Sequence, residues 1–150
     1  MMTKTSTQTL YSKDFALWVE ETVNQLKAKE FNQVDWDNLI EEIESLAKKD
    51  KRELESRLTT LFEHALKRQY VPLPDCYRGW EVTISRTQQE LNLILRDSPS
   101  LGNYFLQVID ECYKNALKNI RKEYDTEFPD AYLLTRDVDR LLTEDFWKAR

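Results

Sequence analysis

By residue type, the groups in this 150-residue chain best suited to chemistry are its single histidine, His64, and the carboxylates Glu41, Glu42, Glu44 and Glu90. Metal centres inside helical bundles take a Glu from each of two helices and a Glu-x-x-His from two others. That spacing is missing from this sequence, because Leu61 stands three residues before His64. A metal- or small-molecule-dependent enzyme would have to gather His64 with Glu41, Glu44 or Glu90 from separate helices, with Arg86 shaping a polar cleft. Arg86 and Glu90 are equally accounted for as an i,i+4 ion pair on one helix. Ser56 and Ser85 fall inside helical patterns, not on the sharp turn that exposes a nucleophile. Cys112 lies on an apolar stripe, where a thiol fills core. No catalytic, cofactor-binding or metal-ligating residue is therefore assigned, and no cofactor.

Helical geometry decides what the acidic group does instead. At about 100° per residue, Glu41 points away from the stripe formed by Trp36, Ile40, Ile43 and Ala47. Glu42 and Glu44 fall on its opposite edges, where ion pairing is the ordinary role. Further on, Arg57, His64 and Arg68 share one edge of a second apolar face. If the two faces belong to antiparallel neighbouring helices, this basic edge meets Glu42 or Glu44. Two arginines beside His64 oppose cation binding, and an acidic neighbour would only tune its protonation.

These groups must be positioned by helices. Ser12 is expected to cap the first, with Leu10 as a hydrophobic staple and Phe15, Trp18, Thr22, Val23 and Leu26 on one face up to Lys29–Phe31. Asp35 caps the second, whose stripe is Trp36, Leu39, Ile40, Ile43, Leu46 and Ala47. The charged run 48–52 interrupts that stripe before Leu54, Leu58, Leu61, Phe62, Ala65 and Leu66 resume it. An uninterrupted helix from Trp36 to Tyr70 would be about 50 Å long, which favours two helices with a bend near Lys49. Pro72 and Pro74 end the next element. Trp80, Ile84, Thr87, Leu91, Ile94 and Leu95 line a helix from about Arg78 to Arg96, and Ser98-Pro99 signals the start of another, reaching Tyr124. Short helices follow over Thr135–Leu142 and Glu144–Lys148. Trp18, Trp36 and Trp80 are assigned to core faces; Tyr70, Tyr77, Tyr104 and Tyr113 to flanks. Trp147, near the end, either docks onto its own domain or meets a partner or a second copy.

Helices with one apolar stripe each must bury it against one another, so the fold class is all-α, a compact bundle of about five main helices. The expectation is a single domain over residues 1–150, with 1–10 flexible and 125–150 a looser tail. Composition agrees: 41 % of residues are hydrophobic and 33 % charged, and two glycines leave no room for Gly-rich phosphate loops. With 22 basic and 27 acidic residues the formal charge is −5, against the basic footprint that nucleic-acid binding needs. Lys114, Lys118, Arg121 and Lys122 form the one basic cluster, as a helix C-terminus favours. No apolar run is long enough to cross a membrane, and the polar residues 1–9 lack an export signal's apolar centre. Cys76 and Cys112 are not spaced as a metal or disulfide framework. A cytoplasmic location is expected.

Leu10-Tyr11 with 14–18 (DFALW) and 38–44 (NLIEEIE) resembles the opening of the family called domain of unknown function twenty-nine. The resemblance continues through 53–58 (ELESRL), His64-Ala65-Leu66-Lys67, Gln69-Tyr70, Trp80, Ile84 and Arg86. It resumes at 97–101 (DSPSL) and ends in 142–146 (LTEDF), so it covers nearly the whole chain. Lys48-Lys49 departs from the small residue that members often carry there. The resemblance implies an all-helical bacterial, often cyanobacterial, protein, and brings no activity, substrate or cofactor. The reading that remains is a non-enzymatic helical interaction domain, acting on a protein partner or as a homo-oligomer such as a dimer. An enzyme with a site around His64 is the alternative.

Overall fold

The computed structural model describes residues 9–148, and every regular element in that range is helical. Six α-helices occur: α1 (Leu10–Lys13), α2 (Phe15–Lys27), α3 (Trp36–Tyr70), α4 (Pro74–Asp97), α5 (Leu101–Glu123) and α6 (Val138–Thr143). Two 3-10 turns, Phe31–Gln33 and Phe146–Lys148, complete the set. The chain divides into two compact units, residues 1–47 and 48–150.

In the first unit Thr9 caps the single-turn α1, and Asp14 caps α2 by accepting the Leu17 amide at 3.0 Å. The expected cap, Ser12, lies inside α1 instead, because the carboxylate two residues on takes the position where the backbone leaves helical geometry. Helix α2 stops in a Schellman arrangement. The Glu30 amide bonds the Gln25 carbonyl at 2.9 Å, the Lys29 amide bonds the Leu26 carbonyl at 3.1 Å, and Lys29 takes a φ of 59°. Trp18 and Thr22 are buried, and Tyr11, Phe15 and Trp18 pack ring on ring at 4.8–5.8 Å. Phe15 and Val23, expected on the buried face, are exposed, since α2 buries only a narrow strip. Asp35 precedes α3 as expected, accepting the Asn38 backbone amide at 3.5 Å and its side-chain amide at 2.7 Å.

The two helices expected to meet near Lys49 are one: α3 is an uninterrupted helix of 35 residues. Charge interrupts a hydrophobic stripe without interrupting a helix: Lys, Arg and Glu are good helix formers, and the stretch holds neither Gly nor Pro. The length that spoke against a continuous helix does not have to be packed within one core, because α3 contributes residues to both units.

The second unit holds the large core. Leu54, Leu58, Leu61, Phe62, Ala65 and Leu66 of α3 are buried, with Trp80, Ile84 and Leu91 of α4 and Phe105, Ile109, Cys112, Ala116 and Ile120 of α5. Both periodic faces beyond Pro74 are buried as the spacing predicts. Pro74 opens α4 at its first position, four residues before the expected start, where the missing amide costs nothing. Ser98-Pro99 makes a tight turn rather than a first helical turn; the Leu101 amide bonds the Ser98 carbonyl at 3.0 Å and α5 follows. The segment after α5, irregular up to α6, contributes Phe128 to the core, and α6 and the 3-10 turn after it add Leu141, Leu142, Phe146 and Trp147. Tyr113, expected on a flank, is buried edge-on to Phe62 and Tyr132, and its hydroxyl donates to the carbonyls of Pro129 at 2.8 Å and Ala131 at 3.1 Å.

Candidate functional site

His64 sits on α3, half-buried, with Nδ1 2.9 Å from the carbonyl of Thr60 one turn earlier. A carbonyl only accepts, so Nδ1 carries the proton and Nε2 the lone pair. Burial holds the imidazole below its ordinary pKa of 6.5; the Thr60 carbonyl works against this and Lys67 adds to it. Glu63 and Glu123 act on this imidazole only through space, raising its pKa less than burial lowers it. Among the described residues, no group of three or more His, Cys, Asp or Glu is placed to hold a metal ion.

The continuity of α3 is the reason. Glu41, Glu42, Glu44 and His64 all belong to it, so Glu44 and His64 stand twenty residues apart on one helix. The two cannot face one another across antiparallel helices, as the expected bend would have allowed. Glu42 instead accepts a hydrogen bond from the Tyr11 hydroxyl of α1, which pushes the Tyr11 pKa up to about 12. Glu41 and Glu44 are exposed.

Glu90 is engaged elsewhere. Arg57 Nη1 donates to it at 2.7 Å while Nη2 donates to Glu53 at 3.1 Å, so one guanidinium bridges α3 and α4. The expected Arg86 partner stays exposed on α4. Asp50, Glu53, Arg57, Glu90 and Asp97 border an open cleft of about 320 Å³. A single Arg bridging two carboxylates makes this a structural ion-pair lattice, with the Ser98 hydroxyl also on the cleft's lining.

Arg68 is likewise committed. Its Nε bonds Glu81 at 2.7 Å, and its guanidinium carbon lies 3.9 Å from the Tyr77 ring centroid and 5.0 Å from that of Trp147. Trp147 is only 5 % exposed, so it docks onto its own unit and offers nothing to a partner. Cys112 is buried beside the Glu55 carbonyl, and burial pushes its thiol up to about 11; Cys76 is exposed.

The polar groups that sequence reasoning missed are structural. Gln88 is buried on α4 and donates to the carbonyls of Leu141 at 2.8 Å and Glu144 at 2.9 Å, and Asn92 donates to Leu142 at 3.0 Å. Lys67 is buried with its ammonium 3.3 Å from Glu123 and above the Trp80 ring. The available signal was position: Gln88 and Lys67 lie within runs of buried apolar residues, where an uncompensated polar group is costly.

The surface that stands out is apolar. Trp36, Ile40, Ile43 and Leu46 of α3, all expected in the core, are 44, 51, 57 and 62 % exposed. Phe15, Val19 and Val23 of α2 are also exposed in the same unit. Period alone cannot say whether a stripe has a partner; of these residues Trp36 meets Phe31, whose carbonyl accepts from its indole N–H at 2.9 Å.

Fold and site together define an all-helical domain whose polar clusters are occupied by structural ion pairs. Residues 10–147 match the model of the family described as Domain of unknown function DUF29, and the chain belongs to that family. No curated protein and no solved structure matches it. No helix among the described residues is long and apolar enough to cross a membrane.

Proposed function

We propose that this chain is a cytoplasmic, non-enzymatic interaction domain that binds another protein chain through the first part of α3. The supporting observation is the exposed row of Trp36, Ile40, Ile43 and Leu46. A row of large apolar side chains at helical spacing is an unfilled helix-packing seam, and helix-in-groove recognition uses such i, i+4, i+7 anchors. Aromatic and aliphatic groups that lose water on binding supply most of an interface's free energy. Their exposure costs the free protein solubility, which the exposed charges Asp37, Glu41 and Glu44 of the same helix offset.

The test is fluorescence-detected sedimentation of the labelled chain in extract of its own cells. The wild-type chain is expected to sediment as a complex and Ile40→Lys/Ile43→Lys as the free protein, with unchanged helicity by circular dichroism. A wild-type chain that sediments at its own mass throughout removes the interaction reading.

A further inference from the structure

Resting on that interaction reading, we propose that the partner is a different protein that docks a basic amphipathic helix on α3 between Trp36 and Ala47. At about 100° per residue, Trp36, Ile40, Ile43 and Ala47 fall within an arc of about 60°, and all four are exposed in the first unit. The row is about 16 Å long, three turns of a facing helix. Such a row packs into the groove of a helix that carries its own apolar groups at i, i+3 or i+4, and i+7.

Charge selects the partner. Residues 1–47 hold four lysines and nine acids, which leaves 18 basic and 18 acidic residues in 48–150, so the whole formal charge of −5 belongs to the first unit. The row lies in a stretch of one sign: from Glu30 to Ala47 there are six acids and no base. Glu44 and Asp37 stand about 70° and 90° from the centre of the row, along one edge of it. Both are exposed, and neither is in an ion pair among the described residues. The helix N-terminus accounts for Asp37 in the first turn, but not for Glu44 two turns on. In the second unit, by contrast, Arg57, Lys67, Arg68, Arg121, Arg136 and Arg140 are each paired with a carboxylate. A neighbour of like sign meets the carboxylates of the first unit at a cost. That sets aside a second copy of this unit, an anionic membrane and nucleic acid. Lysine or arginine beside the partner's apolar row complements the edge and orients the helix, while the apolar contact supplies the free energy.

The experiment titrates the purified full chain into two dye-labelled amphipathic peptides of about five helical turns and follows their anisotropy. Both carry the same helical row of leucines, one with lysine and the other with glutamate at the polar positions. The lysine peptide is expected to bind about tenfold or more tightly than the glutamate peptide, with a difference that shrinks as salt rises. Asp37→Lys/Glu44→Lys should weaken the lysine peptide about tenfold. Asp125→Lys/Glu127→Lys, the same change of charge at exposed positions of the second unit, should leave its binding unaltered. Ile40→Ser/Ile43→Ser should weaken both peptides, and circular dichroism verifies that each variant is folded. Equal binding of the two peptides, binding of neither, or an equal loss in the Asp125/Glu127 variant overturns the basic-helix inference. Reversible dimerisation of the wild type, or its cosedimentation with phosphatidylglycerol vesicles, overturns it too if Ile40→Ser/Ile43→Ser abolishes the effect, because the row then has another occupant. If the chain nonetheless sediments as a complex in extract, the interaction reading stands with a partner of other chemistry.

Discussion

The side-chain amide of Gln88, buried on α4, donates at 2.8 Å to the main-chain carbonyl of Leu141 in α6, and its second hydrogen goes to Glu144 at 2.9 Å. One side chain thus satisfies two carbonyls at the end of a six-residue helix too short to hold itself together. Removing that donor leaves buried acceptors unpaired. Gln88→Leu is expected to destabilise the second unit by about 1–3 kcal/mol, while the exposed neighbour Gln89→Leu stays within about 0.5 kcal/mol. Urea unfolding followed by circular dichroism measures both.

Lys29 carries a side chain through left-handed backbone space at φ 59°, where Cβ meets the following carbonyl. Lys29→Gly keeps both hydrogen bonds of the α2 terminus and removes that strain. The expected gain is about 0.5–1 kcal/mol, read as a higher denaturation midpoint for signals from the first unit, such as Trp18 fluorescence. A lower midpoint would mean that the lysine stem makes a compensating contact.

His64 is the only histidine, so one imidazole C–H resonance reports its titration. Its midpoint is expected below 6.5, since burial disfavours the imidazolium. The unfolded chain takes up this proton first as pH falls through about 6.5. Stability conferred by the neutral imidazole is therefore full above the unfolded value and declines as pH drops towards the lower folded pKa. His64→Gln should flatten the dependence of the urea midpoint between about pH 7.5 and 5.5. An NMR midpoint at or above 6.5 contradicts the burial argument.

The two thiols are expected to differ in reactivity. Cys76 is exposed, whereas Cys112 is buried with its pKa pushed up to about 11. The thiolate is the reactive form, so a thiol reagent at neutral pH should label one equivalent quickly, and Cys76→Ser should abolish that fast phase. Cys112 should react only on unfolding. Two fast equivalents in the native protein would show that the α3–α5 core opens readily around Cys112.

Much of the helical layout was determined by the sequence alone. The apolar period of α4 and α5 put Ile84, Leu91, Phe105, Ile109 and Ile120 on faces that are buried. Proline at 72 and 74 and the acidic cap at 35 marked boundaries through local sterics and hydrogen bonding, which need no knowledge of distant residues. Membership of the helical family was legible for the same reason, since its motifs are runs of adjacent residues.

Only the tertiary structure decided what each face meets. The stripe of Trp36, Ile40, Ile43 and Leu46 has the same period as the stripe from Leu54 to Leu66, yet one is exposed and the other buried. A period describes one helix, and burial depends on whether a second element packs against it. The continuity of α3 had the largest consequence, because it puts Glu44 and His64 on one helix instead of two facing ones, and His64 bonds the Thr60 carbonyl of its own helix. Glu90 pairs with Arg57 across helices rather than with Arg86 along its own, and Trp147 closes onto Arg68 from far along the chain. Such pairings are set by how helices cross, a quantity that residue spacing within one helix does not contain.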